Sequence, residues 1–84
     1  MNNDIRKEVK FLEDEVIQTE HKIEDAISKN KYESVSKYTS VIHSDLRTLN
    51  IVANSAPLKQ KEYRQIRDFI RIHYENLRRI PVYA

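Results

Sequence analysis

The sequence contains no glycine, no cysteine and only two prolines, Pro57 and Pro81. Without glycine there is no ready supply of the positive-φ residues that tight β-hairpin turns require, and no phosphate-cradling loop or nucleophile elbow. Without cysteine there is neither a disulfide framework nor a thiolate metal site, which fits a reducing compartment. Long apolar runs are missing too. The longest uncharged stretch, Thr48 to Leu58, is too short and too polar to span a bilayer, and Met1-Asn2-Asn3-Asp4 lacks the basic-then-apolar order of a signal peptide. These absences together predict a cytoplasmic chain without β-structure.

What is present favours helices. Glu, Lys, Arg, Leu, Ile and Gln, all good helix formers, dominate the 84 residues. A chain of this length makes one domain and buries little more than roughly 60% of its unfolded surface. From Ile5 the apolar positions run Val9, Leu12, Val16, Thr19, Ile23 and Ala26, the alternating four-and-three spacing of a coiled-coil seam. Asn3 is the expected cap of this first helix, with Asp4 at the positive end of its dipole. Thr19 is the one polar member of the seam. An unbroken helix is the preferred reading, and a break at Thr19, giving four helices in all, is the alternative.

Asn30 followed by Glu33 has the form of a capping box opening a second helix, whose apolar face reads Val35, Tyr38, Ile42, Leu46, Leu49, Val52 and Ala53. Asn54-Ser55-Ala56-Pro57 then marks a break, with Ser55 as the expected cap of a third helix and Pro57 in its first turn. Tyr63, Ile66, Phe69, Ile70, His73, Leu77 and Ile80 fall on one side of that helix. Short connections imply antiparallel neighbours. The expected fold is therefore an all-α, up-down-up bundle with helices at about 4–28, 31–53 and 57–79 and an apolar tail at 80–84. Phe11, Ile17, Ile51 and Ile72 lie off the apolar stripes, and the first three are the candidates for self-association into a homo-oligomer through a second contact surface.

No catalytic set is apparent, so the expected protein is not an enzyme and needs no cofactor. His21, His43 and His73 fall in separate segments without the paired spacing of a zinc helix, and no metal site is predicted. His73 reads as a core histidine, bonded to a backbone carbonyl or to Tyr38. The consecutive acids Glu13-Asp14-Glu15 and Glu24-Asp25 splay around a helix axis and read as a solvated face. Three-helix enzymes such as chorismate mutase domains hold arginines inside the bundle around an anionic substrate, whereas Arg64, Arg67, Arg71 and Arg78 here lie opposite the third helix's core face.

The net charge of +2 hides an asymmetry: residues 1–30 carry −3, residues 31–56 carry +1 and residues 57–84 carry +4. One consequence is internal pairing of the acidic first helix with the basic third. Another is a basic face kept for a partner. The four arginines recur at three, four and seven residues and so occupy one side of the helix, although Asp68 and Glu75 beside them dilute any phosphate-binding potential. The expected partner is another protein of unspecified identity, met through Arg64, Arg67, Arg71, Ile72, Tyr74, Arg78, Val82 and Tyr83; nucleic acid and membrane surfaces rank below it.

The last fifty or so residues carry a resemblance. The order Ser34-Val35, an amphipathic helix, the break Asn54-Ser55-Ala56-Pro57-Leu58, a second amphipathic helix with Gln60 and Gln65, and an aromatic tail is similar to the C-terminal half of pediocin-like bacteriocin immunity proteins. The resemblance implies a cytoplasmic four-helix bundle that recognises a toxin bound to its membrane receptor. It also implies that Arg64, Arg67, Arg71, Tyr74, Arg78 and the tail from Pro81 to Tyr83 set specificity. Read without it, the residues support a non-enzymatic binding bundle of adaptor, inhibitor, chaperone or immunity type, with a self-assembling coiled coil and a nucleic-acid-binding regulator as alternatives.

Overall fold

The four-and-three seam of the first segment forms one continuous helix, α1 (Asn3–Ser28), and its stripe Val9, Leu12, Val16, Thr19, Ile23 and Ala26 is buried throughout. The computed structural model describes residues 2–81 and adds α2 (Tyr32–Ser55) and α3 (Gln60–Arg78); among the described residues there is no strand. The chain is thus an all-α bundle of three helices. Thr19, 4% exposed, sits inside α1 without interrupting it, so the fourth helix that a break there would create does not form. At about 1.5 Å per residue, α1 accounts for most of the bundle's 43 Å long axis.

The helix ends show why some boundaries differ from expectation. Asn2, not Asn3, caps α1: its Oδ1 accepts the Ile5 N–H at 2.9 Å, the three-residue reach an N-cap oxygen needs. Asn30 does not open α2 with Glu33. It closes α1 instead, in the left-handed region at φ 58°. The Lys31 N–H reaches the Ala26 carbonyl at 2.8 Å and the Asn30 N–H reaches that of Ile27 at 3.1 Å, the paired bonds of a Schellman ending. With no glycine in the chain, asparagine takes the position because its short polar side chain tolerates left-handed backbone better than most. Lys31 becomes the residue before α2 and supplies no side-chain cap.

The second connection departs further. Ser55 belongs to α2, and α3 begins at Gln60 with Pro57 outside it. Pro57 forces the residue before it out of the helical region, and Ala56 is accordingly extended at φ −82°, ψ 152°. The Leu58 N–H then bonds to the Ala56 carbonyl at 2.9 Å across Pro57, a three-residue turn that postpones the helix. Lys59 is the N-cap residue, and its backbone N–H donates to Glu62 Oε1 at 3.0 Å. That bond holds the Glu62 carboxyl below its usual range.

Val16 on α1 and Ile42, Leu46 and Leu49 on α2 are fully buried and form the centre of the core. Contact between α1 and α2 runs along their length, whereas α3 packs chiefly on α2 and touches α1 at few points. Only Ile66 and Ile70 of α3 are fully enclosed. Phe69, Leu77 and Ile80 are partly buried as the apolar stripe foresaw, but Tyr63, in the first turn, is 38% exposed.

The left-handed turn yields a test. Asn30→Gly and Asn30→Ala both remove the Tyr32 hydroxyl's acceptor, Asn30 Oδ1, so their difference isolates the backbone. The alanine variant is expected to be less stable than the glycine variant by about 1 kcal/mol, read from urea unfolding; equal midpoints would contradict the Schellman assignment.

Candidate binding surfaces

The outer side of α3 carries Arg64, Arg71 and Arg78, each seven residues from the next and all exposed. Arg71 Nη2 lies 3.8 Å from Asp68 Oδ1 and Arg78 Nη1 lies 3.2 Å from Glu75 Oε1, both within the same helix. Arg67 turns toward α2, where its Nη1 donates to Asn50 Oδ1. Tyr74 lies on that same flank, half-buried beside His43 with ring centroids 5.8 Å apart. Ile72, 47% exposed, falls on the opposite side of α3, so it does not join the arginines in one continuous patch. Val82 and Tyr83 lie outside the described residues.

The internal pairing expected between acidic α1 and basic α3 does not take place through the arginines: among the described residues none of their ion pairs reaches α1. The two helices run parallel and stand apart, and a small polar cluster bridges them. His73 Nδ1 lies 2.9 Å from both carboxylate oxygens of Glu20, and Asn76 Nδ2 donates to Glu20 Oε2 at 3.0 Å. An ionised carboxylate only accepts, so Nδ1 carries the proton in this contact. Phe69 backs the imidazole at 4.1 Å. His73 is half-buried at the groove between α1 and α3, with 13% side-chain exposure, and its partner is Glu20 and not a backbone carbonyl or Tyr38. Glu13 lies two turns earlier than Glu20 on α1, where burial, with Asp14 alongside, raises its carboxyl above the ordinary range against the opposing effect of His73.

Where α1 and α3 diverge they leave a groove of about 460 Å³, with Ile17, Ile23, Ile27 and Ile80 on its walls and the Glu20–His73–Asn76 cluster beside them. A smaller cleft of about 210 Å³ lies on the α2 side, between Tyr32, Val35, His43 and Leu77. Ile80 and Pro81 border both. Phe11, Ile17 and Ile51 are 64%, 41% and 56% exposed, but they do not form one self-association surface. Ile17 borders the α1–α3 groove, Ile51 faces outward from α2, and Phe11 lies on the flank of α1 turned from α3. Among the described residues no group of three or more His, Cys, Asp or Glu is placed to hold a metal ion, and no helix is long and apolar enough to cross a membrane.

One pair went unread in the sequence. Asp45 of α2 is 7% exposed within the α1–α2 seam, with the Glu15 carboxyl of α1 beside it, and its Oδ2 is an enclosed atom to which no N–H or hydroxyl donates. Burial first, then the hydrogen bond and the negative charge of Glu15, raise the Asp45 carboxyl from 3.8 to about 7. A signal was present: spacing of three and four from Val35 runs through Tyr38 and Ile42 to Asp45, then Leu49 and Val52, but neighbouring Leu46 offers itself as the apolar choice.

Comparison with protein-family models, with curated proteins and with solved structures finds no match to this chain.

The acid pair fixes the sign of a pH effect. Asp45 binds its proton more tightly when folded, so its contribution to stability is intact below its unfolded value near 4 and is lost as pH rises toward about 7. Half-buried Glu13 acts in the same direction, whereas the lowered carboxyl of Glu62 acts in the opposite one. Asp45→Asn keeps the shape and removes the titration. At pH 8 it is expected to exceed the parent by at least about 1 kcal/mol, or roughly 4–8 °C in melting temperature, and by much less at pH 5. Parallel melting curves for the two proteins across that range would contradict the assignment.

Proposed function

We propose that this chain acts in the cytoplasm as a non-enzymatic binding module for another protein, using the outer face of α3. Arg64, Arg71 and Arg78 form the centre of the contact surface, and Arg67 and Tyr74 mark its α2 edge. The supporting observation is the availability of these arginines. Their acidic neighbours Asp68 and Glu75 belong to the same helix and are more than half exposed, at 3.8 and 3.2 Å. Surface pairs of this kind are worth about 0–1 kcal/mol, so a partner carboxylate can displace them at little cost. Arginine also suits bidentate recognition of carboxylates. The structural demand on α3 is small in comparison, since Ile66 and Ile70 are its only buried residues. Substitutions on its outer face therefore test contact more than folding.

An acidic protein surface accounts for the stripe better than nucleic acid does, because Asp68 and Glu75 interrupt it, and discrete side-chain carboxylates can be spaced to avoid them whereas the continuous phosphate run of a nucleic acid cannot. The immunity role drawn from the resemblance is a narrower form of the same proposal, in which the partner is a toxin–receptor assembly. The unbroken α1 departs from that family's four helices.

The test combines Arg67→Ala, Arg71→Ala and Ile72→Ala, spanning both flanks of α3, and measures capture of the native partner from cell extract beside circular dichroism of the variant. Capture is expected to fall at least about ten-fold, corresponding to roughly 1.4 kcal/mol, while helicity is retained. Unchanged capture by a folded variant would remove this face from consideration, and tight binding of duplex DNA at low salt would favour the nucleic-acid alternative.

A further inference from the structure

The C-terminal end of α3 stands between two clefts. On its α1 side the groove of about 460 Å³ is walled by Ile23, Ile27 and Ile80. On its α2 side the cleft of about 210 Å³ is walled by Val35, Leu77 and Ile80. Ile23 and Val35 are buried, and Ile27, Leu77 and Ile80 pack half-buried against the same core. Lifting this end of α3 joins the two clefts into one apolar trough at the turn end of the α1–α2 hairpin.

Little apolar surface opposes that movement. None of the buried residues of α3 lies beyond Ile70. From there on, a polar bridge ties the helix to α1: the Glu20 carboxylate accepts from His73 Nδ1 at 2.9 Å and from Asn76 Nδ2 at 3.0 Å. Such bonds are strong because the acceptor is ionised, but they hold over a narrow range of distance and angle and release within a small displacement. Apolar packing yields by degrees. At its other end α3 meets α2 through residues 56–59, where Ala56 and Lys59 are both extended. Rotation there breaks one turn bond, from the Leu58 N–H to the Ala56 carbonyl, and leaves the ladders of both helices intact.

We propose that α3 is a movable arm, latched to α1 by Glu20 through His73 and Asn76, which pivots on residues 56–59 and opens while the α1–α2 seam stays closed. Opening uncovers Ile23, Ile27 and Val35. The seam keeps its register meanwhile, because it has its own fully buried centre in Val16, Ile42, Leu46 and Leu49 and its own short turn through Asn30. The outer arginines travel with the arm and take no part in the latch, so the device stands or falls independently of the partner surface proposed above. Once undocked, a helix of 19 residues is only marginal in water. Its amides then exchange with solvent while those of the seam remain protected.

Hydrogen exchange of the full chain, followed residue by residue by NMR, tests the arm. In the parent, residues 66–77 are expected to exchange through one shared opening, at least about ten-fold faster than the slowest amides of α1 and α2. Glu20→Gln keeps the size of the side chain and removes its charge, and should speed the exchange of α3 about ten-fold. Val52→Ala probes the seam alone, since Val52 is two residues from Asn50 and so lies on the side of α2 turned from α3. It destabilises the closed and open forms alike, and should speed the seam amides several-fold while leaving those of α3 unchanged. Val35→Cys gives this cysteine-free chain a single thiol under the arm. Its labelling should also accelerate about ten-fold when Glu20→Gln is added. One protection level shared by all three helices overturns the proposal. So does α3 exchange that Glu20→Gln leaves unchanged or Val52→Ala accelerates, or Val35→Cys labelling that is indifferent to the latch.

Discussion

The antiparallel seam between α1 and α2 determines everything else in the bundle. The fully buried side chains Val16, Ile42, Leu46 and Leu49 all belong to it. The three residues between Ser28 and Tyr32 set its register by returning the chain through left-handed Asn30. A slip of one turn would expose part of each stripe and stretch a connection that has no slack. With the register set, Glu15 faces Asp45, and the two flanks of the pair become different surfaces.

The third helix is an addition to one of those flanks, attached by less apolar surface than joins the first two. Ile66 and Ile70 seat it on α2, and Glu20 reaches across to His73 and Asn76 where α1 would otherwise stand free. Such a bridge depends on the geometry of a few polar atoms, while the seam depends on many interlocked methyl groups. The consequence is a graded structure in which α3 is held firmly along one edge only. Its basic side chains, paired within their own helix, contribute little to that attachment.

The seam was legible in the sequence because period and chemistry agreed: every residue of the α1 stripe from Val9 to Ala26 is buried, polar Thr19 included. Legibility failed where one residue type had two admissible roles. Asn30 satisfies the pattern of an N-cap and also tolerates a left-handed C-terminal position, and the absence of glycine decided for the second. Pro57 fits a first helical turn and also enforces an extended residue before it, and the bond from Leu58 to Ala56 selected the latter. Arg64, Arg71 and Arg78 lie on the outer side of α3 as expected, whereas Arg67 turns toward α2, and Tyr74 and Ile72 proved to lie on opposite edges. One sequence stripe could not show which neighbour each edge would meet. Asp45 was missed because an apolar residue at the adjacent position completes a plausible face without it.

The retention of Asp45 calls for a physical reason. A buried polar group in a helical seam commonly specifies register or partner number, at a cost in stability. That account is weak here, because the short turn through Asn30 already fixes how α1 and α2 align, and an apolar residue at position 45 would leave the alignment unchanged. Folding therefore gains little from the acid, while desolvation, the apposed Glu15 and the unpaired Oδ2 all weigh against it. Sequences depart from agreement between local pattern and global packing chiefly where function requires it. The cost is smallest while Asp45 keeps its proton against Glu15, so the seam tolerates the acid best at low pH and least above about pH 7.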